Sequence, residues 1–266
     1  MNGTQGKFAD LRDRMIWGML MALAGGGAVW AGGLVFTGLV CVLCGVMVWE
    51  LTRMLDPDAP FGKAEAAGAT AAVALLVFWT QLSGAWLIGV MALAVALLAF
   101  RFPKDRVLAL GYLGLILFAG LGLIALRQVY GWDWVLWLVL VVIGSDVAGY
   151  FAGRVFGGPK LWPRVSPKKT WSGTIAGWAL AALIGAAFMG ILGAGAGLIL
   201  VSVLVAMAGQ AGDIAESAVK RRSGVKDSSN LIPGHGGVMD RFDAMIAAAL
   251  LLLILSEFGL ISALVS

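Results

Sequence analysis

Five carboxylates stand where an apolar chain can least accommodate them. Asp146 lies in VVIGSDVAGYFAGR, Asp213 and Glu216 in GQAGDIAESAVKRR, and Asp240 and Asp243 in GGVMDRFDA. Lipid offers no water to solvate an ionised group, so such residues point to function by default. At helical spacing Asp213, Glu216, Ser217 and Lys220 fall on one face. Asp240 and Asp243 share a face as well, as do Asp146 and Tyr150. Each acid neighbours a basic stretch, and two chemistries fit that juxtaposition. One is a set of structural ion pairs tying helices together. The other is a site in which carboxylates hold a divalent cation while lysines and arginines hold phosphates. Hard oxygen ligands suit Mg2+, which commonly takes one or two carboxylates plus substrate phosphates.

The most polar stretch, KDSSNLIPGHGGVMDRFD at 226–243, carries the only histidine, His235. Its PGHGG, like FGGPK at 156–160, expects turn conformations whose backbone amides make concavities for anions. Most of the 38 glycines have a plainer use in letting helices approach one another. A lone histidine makes a zinc site improbable. Phosphoryl chemistry asks little proton transfer of the protein, so a contact to phosphate or backbone suits His235 better than a general base.

These residues must be positioned by membrane helices. The 266 residues are 61% hydrophobic and 13% charged, against about 45–50% and 25% in soluble domains. Apolar runs at 15–32, 33–50, 66–80, 83–100, 107–126, 133–150, 173–192, 196–212 and 243–262 predict about nine transmembrane helices in a single polytopic domain, an all-α integral membrane protein. The first run lacks a small-residue exit, so it reads as a helix and not a cleaved signal. Eighteen of the 19 basic residues fall in the N-terminal tail and in the second, fourth, sixth and eighth connections; Arg127 alone falls on the other side. The positive-inside rule therefore predicts a cytoplasmic N-terminus, an outward C-terminus and a site on the cytoplasmic face. The intervening connections are short and nearly uncharged. The net charge of +4 is too small and too spread to suggest nucleic acid. Cys41 and Cys44 lack partner ligands and read as small packing residues.

The stretch SAVKRRSGVKDSSNLIPGHGGVMDRFD, Ser217 to Asp243, resembles the signature of the phosphatidate cytidylyltransferases, or CDP-diacylglycerol synthases. GDIAES, SPKKTW at 166–171 and SDVAGYFAGRVFG resemble further motifs of that family. The resemblance is strong over about residues 140–245 and rests elsewhere on length and span count. It departs at Ser172, where the family usually has an acid, so no role is carried to that position. The resemblance implies transfer of a cytidylyl group from CTP to phosphatidic acid, giving CDP-diacylglycerol and pyrophosphate, in a lipid bilayer. It also implies Mg2+, admits a second cation and a homodimer, and points to the cytoplasmic membrane of a bacterium.

Carried over residue by residue, it assigns Asp213, Lys220, Asp240, Arg241 and His235 to catalysis, with Asp213 and Asp240 as metal ligands. Substrate contacts fall to Asp146, Tyr150, Ser166, Lys169, Thr170, Glu216, Ser217, Arg221, Lys226, Asp227, Gly236, Gly237 and Asp243. Two rivals stand beside it. A transporter would want its acids near mid-depth and an inverted repeat, and neither is visible. An enzyme using the same nucleotide site on another lipid would differ only in its acceptor.

Overall fold

A computed structural model describes residues 3–58, 60, 62–81, 86–100 and 105–265, with the side chains of 3–14, 78, 80, 81 and 86–88 left out of the description. Long helices coincide with the apolar runs: α1 (Gly3–Ala31), α2 (Gly33–Leu55), α3 (Lys63–Gln81), α4 (Trp86–Ala99), α5 (Arg106–Ala125), α6 (Trp132–Val155), α7 (Trp171–Leu192), α8 (Gly197–Arg222) and α9 (Met239–Glu257). A short α10 (Ser262–Val265) follows. The chain is an all-α integral membrane protein. Among the described residues, five stretches, Gly33–Leu55, Arg106–Tyr130, Trp132–Val155, Trp171–Leu192 and Gly197–Arg222, are long and apolar enough to cross a membrane. Of the basic residues counted above, Arg101 and Lys104 lie outside the described residues, as do the side chains of Lys7, Arg12 and Arg14. Cys41 and Cys44 are buried and unbridged.

The connection between α6 and α7 departs from the all-α expectation. Lys160–Trp162 (β1) and Ser166–Thr170 (β2) pair as an antiparallel hairpin. Its return into α7 is fastened locally. Thr170 is the helix N-cap, its hydroxyl accepting the Gly173 N–H at 3.2 Å. Such a cap satisfies one of the N–H groups that a helix start leaves without an intrahelical partner. Ser172 donates its hydroxyl to the Gly157 carbonyl, at a glycine whose φ of 60° suits the turn out of α6. Ser172 thus ties the start of α7 to the end of α6.

Two compact units make up the chain, residues 1–113 with 223–242, and residues 114–222 with 243–266. In the first, α2 packs on α3. Glu65, in the first turn of α3, accepts the Gly62 N–H at 2.9 Å and also Trp49 Nε1 and Arg53 Nη2 from α2. Gly45 and Gly68 face each other so closely that a β-carbon on either would meet the other's carbonyl.

In the second unit α6, α7 and α8 pack side by side. Trp137 Nε1 donates to Ser202 Oγ at 3.0 Å, and Trp178 Nε1 to Gln210 Oε1 at 3.0 Å. Without a hydrophobic drive between helices in lipid, small residues and such polar contacts are what hold a bundle. Gly149, Gly173 and Gly177 provide the small residues between α6 and α7.

Candidate active site

The site in the second unit is built from helix ends. Helix α8 continues past its apolar run to Arg222, which keeps Asp213, Glu216, Ser217 and Lys220 on a helical face. Ser217 Oγ donates to Asp213 Oδ1 at 3.4 Å, and Lys220 Nζ to Glu216 Oε2 at 2.5 Å. Glu216 is fully buried.

Asp243 joins these two because of Gly212. A β-carbon at Gly212 would run into the Asp243 carbonyl and the Ala247 side chain. Glycine therefore lets α9 close on α8 at that level. The carboxylate oxygens of Asp213, Glu216 and Asp243 come to lie within 4.8 Å of one another. Three oxygen donors so grouped could hold a divalent cation.

Asp213 also lines a cleft of about 390 Å³, together with Asp146, Tyr150, Arg154, Lys168, Lys169, Thr170 and Gln210. Lys169 Nζ lies 2.5 Å from Asp213 Oδ2. Arg154 Nη1 donates to the Tyr150 hydroxyl at 2.8 Å. A wall of cations and a group of acids therefore meet at Asp213. Of the expected residues, Ser166 lies in β2 and Thr170 ends it, with its hydroxyl committed to the α7 cap. Arg154 and Lys168 were not among the expected site residues, although both stood in stretches read as motifs.

Of the remaining expected residues, Arg221 belongs to the second unit and the others to the first. The PGHGG turn forms as expected, with Gly234 at φ 74° and Gly236 at φ 83°. The expectation that its amides stand open is not met. The N–H groups of His235 and Gly236 both donate to the Ile232 carbonyl, and that of Gly237 to Asp240 Oδ2 at 2.7 Å. Asp240 Oδ2 also accepts the N–H and the hydroxyl of Ser228, at 2.9 and 3.0 Å. Asp240 thus fastens its own loop, whereas Asp213 is grouped with Glu216 and Asp243. Arg241 Nε donates to the His235 carbonyl at 3.0 Å, and the His235 ring stands beside Gly18 of α1. Lys226, Asp227 and Arg221 are exposed.

Glu50 of α2 is a residue that the motif reading missed. It is fully buried, and its carboxylate reaches the same loop. A carboxylate closing the apolar run CGVMVWELTR was the available signal.

In the second unit, clustered carboxylates thus adjoin a basic cleft. A model of the cytidylyltransferase family matches residues 12–258, and the chain belongs to that family. It is 35% identical over 277 residues to a phosphatidate cytidylyltransferase of Pseudomonas aeruginosa, a match covering 90% of this chain and 94% of that one. It is 31% identical to the phosphatidate cytidylyltransferase of Bacillus subtilis (strain 168), covering 89% and 94%. The phosphatidate cytidylyltransferase of Brucella suis biovar 1 is 48% identical over 139 residues, and there the chain spans about half of the relative, 52%, with 51% of its own length.

Proposed function

We propose that the protein transfers the cytidylyl group of CTP to phosphatidic acid, releasing pyrophosphate and leaving CDP-diacylglycerol. The observation that supports this most is the meeting at Asp213 of three clustered carboxylates with a cleft lined by Arg154, Lys168 and Lys169. A phosphate oxygen of the lipid attacks the α-phosphorus of CTP. The bond from that phosphorus to the bridging oxygen breaks, and pyrophosphate leaves with the electron pair. A phosphate monoester is a competent nucleophile near neutral pH, so no strong base is required. Both reactants are anions, and what they need is fixed positive charge that holds them in line. Lys169, with Arg154 and Lys168, supplies it in the cleft; Lys220 and Arg221 follow on α8 and Arg241 on α9.

The donor set of Asp213, Glu216 and Asp243 is all oxygen, which fits Mg2+. When bound, such an ion neutralises phosphate charge and polarises the bonds to phosphorus. Lys169 and Lys220 stand against two of these acids and balance their charge. The proposal extends to nine spans with the N-terminus in the cytoplasm, in the cytoplasmic membrane of a bacterium, and to a homodimer. Acyl chains then stay in the bilayer while CTP arrives from the aqueous side. Purified protein given labelled CTP and a panel of lipid phosphates tests the reaction. Release of pyrophosphate only with phosphatidic acid is the expected result, and release with a polyprenyl phosphate alone would move the protein to another acceptor.

A further inference from the structure

We infer that Glu50 is a positioning residue for the loop at 228–239, acting as a built-in anion at the start of α9. The inference rests on the proposed reaction for its kinetic consequence and on geometry for its structural one. Glu50 has no solvent exposure. Its Oε1 accepts the Ser229 hydroxyl at 2.6 Å and the Val238 N–H at 2.9 Å; its Oε2 accepts the Met239 N–H at 2.7 Å.

Val238 and Met239 are the residues at which α9 begins, and their N–H groups have no partner within the helix. A carboxylate is the group that the positive end of a helix favours. The two are far apart in sequence: Val238 lies 188 positions after Glu50. A purely local cap would come from the loop itself, and Asp240 already supplies that, taking Ser228 and Gly237. Glu50 adds a second anchor, from α2. Gly237 sits between the two anchors, and a β-carbon there would land on Ser228 Oγ and Glu50 Oε1.

A buried carboxylate is costly unless its hydrogen bonds are made. Glu50 and the loop therefore hold each other in one arrangement. The anchored segment carries His235, and α9 continues through Arg241. Loosening it would move His235 and Arg241, which we take, within the proposed reaction, to contact the phosphates of CTP.

The test uses the full-length protein in detergent. Glu50→Gln keeps the shape but replaces one acceptor oxygen with a donor that faces an N–H. Amide hydrogen exchange in peptides covering 228–242 should quicken about ten-fold or more, the scale of losing one charge-assisted hydrogen bond, while peptides from α6–α8 keep wild-type rates. KM for CTP should rise about ten-fold and KM for phosphatidic acid stay within about two-fold, the pattern of a lost nucleotide contact rather than of fewer folded molecules. Should Glu50→Gln fail to fold, Ser229→Ala removes a single one of the three bonds and is read the same way. Unchanged exchange at 228–242 in a folded variant overturns the inference. So does a fall in turnover with both KM values unchanged. If the wild type shows no activity with CTP and phosphatidic acid, the proposed reaction fails, and the exchange rates still decide the role of Glu50.

Discussion

Lys169 Nζ lies 2.5 Å from Asp213 Oδ2, joining the end of the hairpin to the face of α8 that bears the acids. The pair is partly buried, with side-chain exposures of 22% and 29%. In water such a pair contributes little, but partial burial strengthens the attraction and penalises leaving either charge alone. Its more useful property is exchangeability. A lysine resting on a carboxylate can turn to a phosphate when a cation takes the carboxylate.

Lys169→Met is therefore expected to raise KM for CTP or phosphatidic acid, lower turnover, or both. Asp213→Asn should lose turnover by roughly 100-fold or more, the scale on which one electrostatic contact to a transition state acts. Steady-state kinetics on both variants check this. Wild-type constants for Lys169→Met would return the pair to a structural tie.

Asp240 and Asp243 should separate by measurement although they share a helix. Asp240→Asn loses acceptor capacity that serves three loop hydrogen bonds. It should lower stability by about 1–3 kcal/mol, read by thermal unfolding in detergent. Asp243→Asn should instead weaken the dependence on Mg2+ and leave the melting temperature nearly unchanged. Equal melting temperatures for the two variants would remove the distinction.

How far these roles were legible in the sequence depends on how local they are. Glu216 and Lys220 were placed on one face with Asp213 by helical spacing alone. That Asp243 completes the group was not legible, because it depends on Gly212 letting α9 close on α8. The PGHGG turn was legible from its glycines. The fate of its amides was not, since the anions that serve the loop are Asp240 and a residue of α2 far off in sequence. The hairpin was missed because β1 and β2 have only Leu161 and Trp162 as apolar residues, too few for a strand pattern. Glu50 was missed because it stands near Arg53 at the end of its run, where a carboxylate reads as a surface residue.

Gly236 should be less replaceable than His235. Its φ is 83°, and a β-carbon would stand 2.7 Å from Asp240 Oδ2. Gly236→Val is expected to destabilise by about 1–3 kcal/mol, as strained positive-φ residues do, with a matching loss of activity. His235→Gln should retain most of both. Melting and turnover measured side by side check the order, and a harsher effect at His235 would give the imidazole a direct part in the chemistry.

The proposed orientation has its own test. A reporter active only in the cytoplasm, fused after Ser266, should be silent if nine spans leave that end outside. A bright fusion would mean that the number of spans is even.

The most direct measurement is pyrophosphate release by the purified protein from CTP, with and without phosphatidic acid, in Mg2+ and then in excess chelator. Release is expected only when CTP, phosphatidic acid and Mg2+ are all present, with CDP-diacylglycerol recovered in equal amount. Release without the lipid, or lipid-dependent release that survives the chelator, would contradict the proposed transfer at the Asp213–Glu216–Asp243 site.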